Sequence, residues 1–113
     1  MWNRCRLNYC MEVIYATKRV EKFIINLDDN ISSRIERMID LLEKYGYDLG
    51  MPHSKSLGGG LFELRILGER QIRVLYTFRY GRIYIVHGFF KKTQQILKQE
   101  IEYARRMAKE IVA

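Results

Sequence analysis

The chain has 113 residues, with 20 Lys and Arg against 13 Asp and Glu, a formal charge of +7, and 48% hydrophobic residues. This size and apolar content predict one compact domain and exclude a disordered or collagen-like chain. No apolar run approaches the roughly 20 residues that span a bilayer and no secretory leader opens the sequence, so we expect a soluble, cytoplasmic protein without a membrane partner.

The N-terminal residues differ from the rest of the chain. Residues 1–10 show neither helical nor strand periodicity, and a second methionine, Met11, directly precedes the first patterned segment. We predict a flexible leader over 1–10 and a single domain over 11–113. Cys5 and Cys10 fall in the leader without a second pair that could complete a zinc site, and the two histidines are scattered. We therefore expect reduced thiols, no metal and no cofactor.

The first patterned segments predict a strand followed by a helical hairpin. Residues 12–15 carry β-branched side chains and form a strand candidate. Thr17 is placed to cap a first helix, in which apolar residues recur at the spacing of one buried face. A second amphipathic helix follows, with the spacing of a capping box at Ser33 and Glu36, and Gly46 is expected to end it.

The second half predicts a loop, a meander and a final helix. The loop over 46–60 is rich in glycine and contains the only proline. Its three terminal glycines lack the ending of a phosphate-binding loop, and we interpret them as a flexible approach to a strand. Strands over 61–67, 71–79 and 82–90 are joined by short turns, and a helix over 97–111 closes the chain. The predicted class is α+β, in the order β-α-α-β-β-β-α.

Alternation in the predicted strands assigns the charged residues to one side of the sheet. In the middle strand apolar and polar residues alternate, which predicts one buried face and one open polar face. Arg65 and Arg73 share the polar phase with Glu63. Six of the seven net positive charges lie after Gly60. Such a concentration is typical of a surface that receives a polyanion, most often nucleic acid, and the alternative is an ordinary solvated face.

Four segments together carry a recognisable pattern: LFELRI at 61–66, IRVLY at 72–76, HGFFKKTQ at 87–94 and EIEYA at 100–104. As a set, and over residues 11–110, the sequence resembles the phage-derived HigB-like branch of the RelE/ParE toxin superfamily. The resemblance implies a RelE-like fold and a type II toxin: an endoribonuclease (mRNA interferase) that cuts mRNA in the ribosomal A site and is neutralised by a helix-turn-helix (HigA/Xre-like) antitoxin. The family usually places Thr-Pro after this KKTQ phrase, so we expect the last helix here to form with a shifted or frayed start.

A ribonuclease of this kind removes the ribose 2′ proton, stabilises the phosphate in the transition state and protonates the 5′ oxygen. Arginine suits the second task because its planar, always charged fork holds two phosphate oxygens. Arg73 is our first choice and Arg65 the second, and the resemblance matches both to catalytic basic positions of RelE-type toxins. Lys91 and Lys92 are predicted to clamp the phosphate or donate the proton. Adjacent strand residues point to opposite sides, so one of the two contacts the ribosome in the alternative interpretation.

The general base stays open between two residues. Glu63 shares the polar phase with the arginines, and the alternative is that it is a surface partner of Arg65. His87 has a side chain suited to proton transfer near neutral pH, and the alternative is a buried, hydrogen-bonded histidine. Phe90 is a candidate for stacking a splayed base. Three further cations are predicted to attract RNA in general: Lys55, Arg79 and Lys98.

Two other functions remain open at this point. A ParE-like inhibitor of DNA gyrase would share the fold without ribonuclease activity, and a fold alone does not decide between the two. A nucleic-acid-binding module whose basic sheet only holds phosphates is the third interpretation. The basic residues on the sheet favour the endoribonuclease.

Overall fold

A computed structural model of the chain describes residues 10–68, 71–96 and 98–112. Its helices and strands are β1 (Val13–Tyr15), α1 (Lys18–Ile25), α2 (Asp29–Tyr45), β2 (Ser54–Gly58), β3 (Leu61–Ile66), β4 (Ile72–Arg79), β5 (Arg82–Phe90) and α3 (Lys98–Lys109). The strands form one sheet in the order β1-β5-β4-β3-β2, in which β1 and β5 are parallel and the other neighbouring pairs of the described strands are antiparallel. The α+β class is confirmed. Apart from Cys10, the predicted leader lies outside the described residues.

The strand β2 was not predicted. It occupies part of the expected loop and pairs with β3 as the edge of the sheet. Its five residues contain one apolar side chain, Leu57, so they show no alternation that would distinguish a strand from a loop. The predicted element order is therefore wrong by one strand, and the sheet formed by the described residues has five strands where four were expected.

The helices begin and end where side-chain and glycine chemistry allow. Thr17 caps α1 as predicted. Asp28 caps α2, and its carboxylate accepts a 3.0 Å hydrogen bond from the backbone amide three residues later. The predicted capping box is wrong, because Ser33 lies inside the helix and donates to the carbonyl of Asp29 at 3.0 Å. Gly46, with φ +50°, ends α2 as predicted.

One face of the sheet packs against the helical hairpin. Its core residues include Leu64, Ile72, Val74 and Ile85, all fully buried beneath α1 and α2. The alternation had assigned the residues of β3 and β4 to this buried side, and that prediction is confirmed. Within the described ranges, no helix is long and apolar enough to cross a bilayer.

The other face is covered as well, by α3. Ala104 and Ala108 pack against Leu61, Leu75 and Val86 and form a second core. The small alanines let the helix approach the strands closely, so the middle of this face is buried. The prediction of an open polar face is therefore wrong, and the charged residues on this side lie at the two ends of a covered sheet.

Two tight turns connect the antiparallel strands. Gly59 and Gly60, with φ +60° and +83°, join β2 to β3, and Tyr80 and Gly81, with φ +53° and +72°, join β4 to β5. Positive φ at both central residues is the requirement of the type I′ turn that matches strand twist. The glycine run is thus a hairpin turn and not a flexible approach. The predicted turn at 68–70 lies partly outside the described residues.

Candidate active site at the end of the sheet

Two arginines and one glutamate form a buried ion cluster on the face that α3 covers. Arg65 and Arg73 are directly opposite each other on β3 and β4. The Nε atoms of both arginines donate to the same oxygen, Oε1 of Glu63, at 3.0 Å each. We call these three residues the Glu63 triad. The strand alternation predicted that they share a face, and the structure confirms this.

The members of the Glu63 triad differ sharply in exposure. Glu63 and Arg73 are 3% and 4% exposed, whereas the side chain of Arg65 is 26% exposed. The remaining nitrogens of Arg73 also face protein: Nη1 donates to the carbonyl of Ile72 at 3.2 Å, and Nη2 donates to Oε1 of Gln71 at 3.4 Å. The expectation that Arg73 stands on an open surface is therefore wrong, and Arg65 is the arginine that solvent reaches.

Glu63 is a partner of Arg65, as one interpretation held, although it is buried rather than on the surface. One carboxylate between two guanidinium groups gives the Glu63 triad a net charge of +1. A buried carboxylate needs such partners, because an unpaired charge in this position would be strongly destabilising. The geometry supports a role in orienting the arginines more than a role in taking a proton.

The two lysines after β5 line a neighbouring cavity. The amide of Lys91 donates to the carbonyl of Gln71 at 2.8 Å, which keeps the end of β5 beside the start of β4. Lys91, Lys92 and Phe90 line a cavity of about 220 Å³, which we call the lysine cavity, and Glu100 of α3 lines it as well. The structure thus brings both predicted lysines to the end of the sheet where the Glu63 triad lies.

Phe90 is half-buried and also packs against α1. Its ring meets the ring of Phe23 edge to face, with 5.6 Å between the centroids. It borders the lysine cavity at the same time. The position is compatible with the predicted stacking of a base and with ordinary packing.

His87 is buried and hydrogen-bonded. It is 8% exposed, and its Nε2 lies 3.1 Å from Oε1 of Glu100. The ring of Tyr103 packs on it with 4.6 Å between centroids. His87 lies opposite Leu75, which in turn lies opposite Glu63, so two strand spacings of about 4.8 Å separate the two base candidates. Sequence reasoning missed Glu100 as a partner, although its EIEYA segment carried part of the family resemblance.

The remaining predicted RNA contacts are distributed over the surface. Lys55 is exposed and lies opposite Glu63 on β2, next to the Glu63 triad. Lys98 is 90% exposed and pairs with Glu102 at 3.8 Å. Arg79 lies at the far end of β4 and does not belong to this site. In the described part of the chain, no group of three His, Cys, Asp or Glu side chains is placed to hold a metal ion.

Comparison with known proteins gives the family. The family model of the phage-derived protein Gp49-like (DUF891) matches residues 22–109, a range that contains the Glu63 triad and the lysine cavity. No curated protein matches the chain at a significant level. The Gp49-like proteins are a phage-derived, toxin-like family within the RelE/HigB-like toxin superfamily, which confirms the superfamily predicted from the sequence. On the strength of this match over most of its length, the chain belongs to the phage-derived Gp49-like family.

Proposed function

We propose that the chain is the toxin of a type II toxin–antitoxin pair and acts as a metal-independent endoribonuclease. It cleaves mRNA, in the ribosomal A site, by attack of a ribose 2′-hydroxyl on the adjacent phosphate. The observation that carries the proposal is the Glu63 triad, which holds one solvent-accessible arginine at the end of the sheet where the lysine cavity lies, with Arg73 opposite Phe89 of that cavity. Membership of a toxin superfamily whose members are typically endoribonucleases supports it.

Arg65 is the residue that we assign to the phosphate. Glu63 accepts from its Nε, and among the described residues Arg65 makes no other side-chain hydrogen bond. Its two terminal nitrogens are therefore available for a bidentate contact with two phosphate oxygens. The net charge of +1 on the Glu63 triad complements the single negative charge of a phosphodiester. Such fixed donors stabilise charge that develops in the transition state.

Arg73 then acts as a positioning residue. It is buried and reaches Arg65 only through the shared carboxylate oxygen of Glu63. Its charge holds Glu63 in place, and Glu63 fixes the direction of the Arg65 guanidinium. In this assignment Arg73 does not contact the RNA and acts through Glu63 instead. Both arginines remain essential to the mechanism.

Proton transfer is assigned to the lysine cavity. Lys91 and Lys92 supply cations that hold the phosphate or protonate the 5′ oxygen. Glu100 lines the same cavity and is hydrogen-bonded to His87, so this pair is the better placed base. Oε1 of Glu63, by contrast, is already engaged by two guanidinium groups.

The test is Arg65→Gln, with Arg82→Gln as the matched control. Arg82 is an exposed arginine of β5 whose partner is Glu12, away from the Glu63 triad. We expect induced wild-type protein to arrest growth with cut transcripts, and Arg65→Gln to lower cleavage in a ribosome-containing reaction by about 10² to 10³. Cleavage by Arg65→Gln at the wild-type rate would refute the assignment. Gyrase-dependent DNA breaks with intact transcripts would contradict the proposal and favour the alternative function, inhibition of DNA gyrase.

A toxin also implies a protein that neutralises it. We propose a helix-turn-helix antitoxin as the protein partner, supported by the toxin superfamily of the chain. Co-expression with the product of the adjacent gene is expected to restore growth and to give a complex that co-purifies. Growth arrest that this product leaves unchanged would contradict the pairing.

A further inference from the structure

A second basic cavity lies at the opposite end of the face that α3 covers. It has a volume of about 110 Å³ and is lined by Arg79 of β4, by Arg105 and Lys109 of α3, and by Gly59 of the β2–β3 turn. We call it the glycine-turn cavity. None of the side chains that line it is acidic.

Arg105 is held in the wall of this cavity by the glycine turn. Its Nη1 donates to the carbonyl of Gly58 at 3.0 Å and its Nη2 donates to the carbonyl of Leu57 at 3.2 Å. Glycine suits the φ of +60° at position 59, and a Cβ atom there would lie 2.9 Å from Nη1 of Arg105 and displace the guanidinium from its present position. The turn and the arginine therefore fix each other.

Arg79 is fixed in a similar way. Its Nη1 donates to Oγ1 of Thr77 at 2.9 Å and to the carbonyl of Phe78 at 3.0 Å. Thr77 in turn donates to the carbonyl of Gly60 at 2.7 Å. Both guanidinium groups are thus positioned by neutral oxygens, which orient them without cancelling their charge.

In the described part of the chain, no carboxylate neutralises the positive charge of the glycine-turn cavity. There, none of Arg79, Arg105 and Lys109 forms an ion pair with a carboxylate, whereas Arg65 and Arg73 share Glu63. The cavity also lies at the C-terminal end of α3, where the helix dipole contributes about half a negative charge. Three cations exceed that value several times, so the cavity attracts an anion.

We infer that the glycine-turn cavity binds a backbone phosphate of the RNA. This inference rests on the proposed function, because it extends the surface that the RNA contacts. The volume of about 110 Å³ is small beside the several hundred Å³ typical of a pocket for a whole ligand, and it suits a phosphate-sized group. Arg73 and Arg79 are six residues apart on β4, or roughly 20 Å at about 3.3 Å per residue, so one RNA that reaches both ends spans several nucleotides.

The experiment measures binding to an RNA oligonucleotide with 2′-O-methyl groups, which lacks the nucleophile and cannot be cut. Its affinity is measured by fluorescence anisotropy over a range of KCl concentrations for wild type, Arg79→Gln and Lys109→Gln. Lys22→Gln is the matched control, because Lys22 is an exposed lysine of α1 on the other face of the sheet. Each of the two test variants is expected to weaken binding and to lower the slope of log affinity against log salt by about 0.7, the loss of one phosphate contact. The control is expected to keep the wild-type slope.

Two results would overturn the inference: unchanged RNA binding by both test variants, or an equal loss in Lys22→Gln. In the first case, lost binding of an acidic protein partner by the same variants would reassign the cavity to that partner. The outcome is independent of cleavage. If wild type leaves transcripts intact and the test variants still lower the slope, the phosphate site stands and the endoribonuclease proposal fails. If wild type cleaves and the slopes do not change, only the phosphate site is refuted.

Discussion

Removal of the buried arginine of the Glu63 triad should cost far more stability than removal of the accessible one. Arg73→Met leaves the carboxylate of Glu63, 3% exposed, with Arg65 as its remaining charged partner. Breaking a buried ion pair on one side typically costs about 3 to 5 kcal/mol. Because Arg65 still donates to Oε1, we expect the lower end of that range, about 3 kcal/mol. Arg65→Met removes a partly exposed side chain, and its loss should cost no more than about 1 kcal/mol.

Equilibrium unfolding in urea, followed by circular dichroism, measures both variants. The double variant Glu63→Gln with Arg73→Met removes the buried carboxylate charge that Arg65 alone would have to neutralise, so it should regain part of the stability lost in Arg73→Met alone. Equal losses for Arg65→Met and Arg73→Met would refute the reasoning, as would a double variant less stable than Arg73→Met. The comparison also explains why cleavage is tested at Arg65, since a loss of activity in an Arg73 variant would mix chemistry with folding.

Two further predictions concern the fold. Burial raises the pKa of the Tyr76 phenol above its ordinary value near 10, and this effect is larger than the lowering by its hydrogen bond to Ser54. The unfolded chain therefore loses the phenol proton at a lower pH than the folded chain. As a result, the free energy of unfolding should fall as pH rises above about 10. Tyr76→Phe should reduce that fall in urea titrations and cost about 1 to 3 kcal/mol at neutral pH, where it strands the buried Ser54 hydroxyl; an unchanged pH profile would contradict the assignment. Asp28→Ala should cost about 1 kcal/mol by thermal or urea unfolding because it removes the cap of α2, whereas Ser33→Ala should cost much less; the reverse order would restore the predicted capping box.

The sequence predicted which side of the sheet each charged residue occupies, because alternation along a strand depends only on backbone geometry. It did not predict how deeply these residues are buried. Leu75 stands in the polar phase of β4, and this apolar residue was the available signal that the face is covered. Val86 was harder to assign, because a bulge between Leu75 and Tyr76 shifts the pairing of β4 with β5.

Close packing also escaped the sequence reasoning at Gly88. A Cβ atom there would lie 2.9 Å from Cδ2 of Phe23, so glycine lets α1 approach β5. A glycine inside a strand indicates such an approach, but the partner depends on tertiary contacts that periodicity does not contain. The same limit applies to Glu63, whose role as a shared acceptor follows from the register of β3 and β4 rather than from either strand alone.

The helix α3 determines where the cations on this face of the sheet lie. Ala104 and Ala108 bury the middle of the sheet face, so the charges that strand alternation had assigned to one open face are divided between its two ends. At one end, Glu100 joins α3 to His87 and lines the lysine cavity. At the other end, Arg105 joins α3 to the glycine turn and forms a wall of the second cavity. The packing of α3 on the sheet thus contributes lining residues to both cavities, and the two cavities lie near the two ends of this helix.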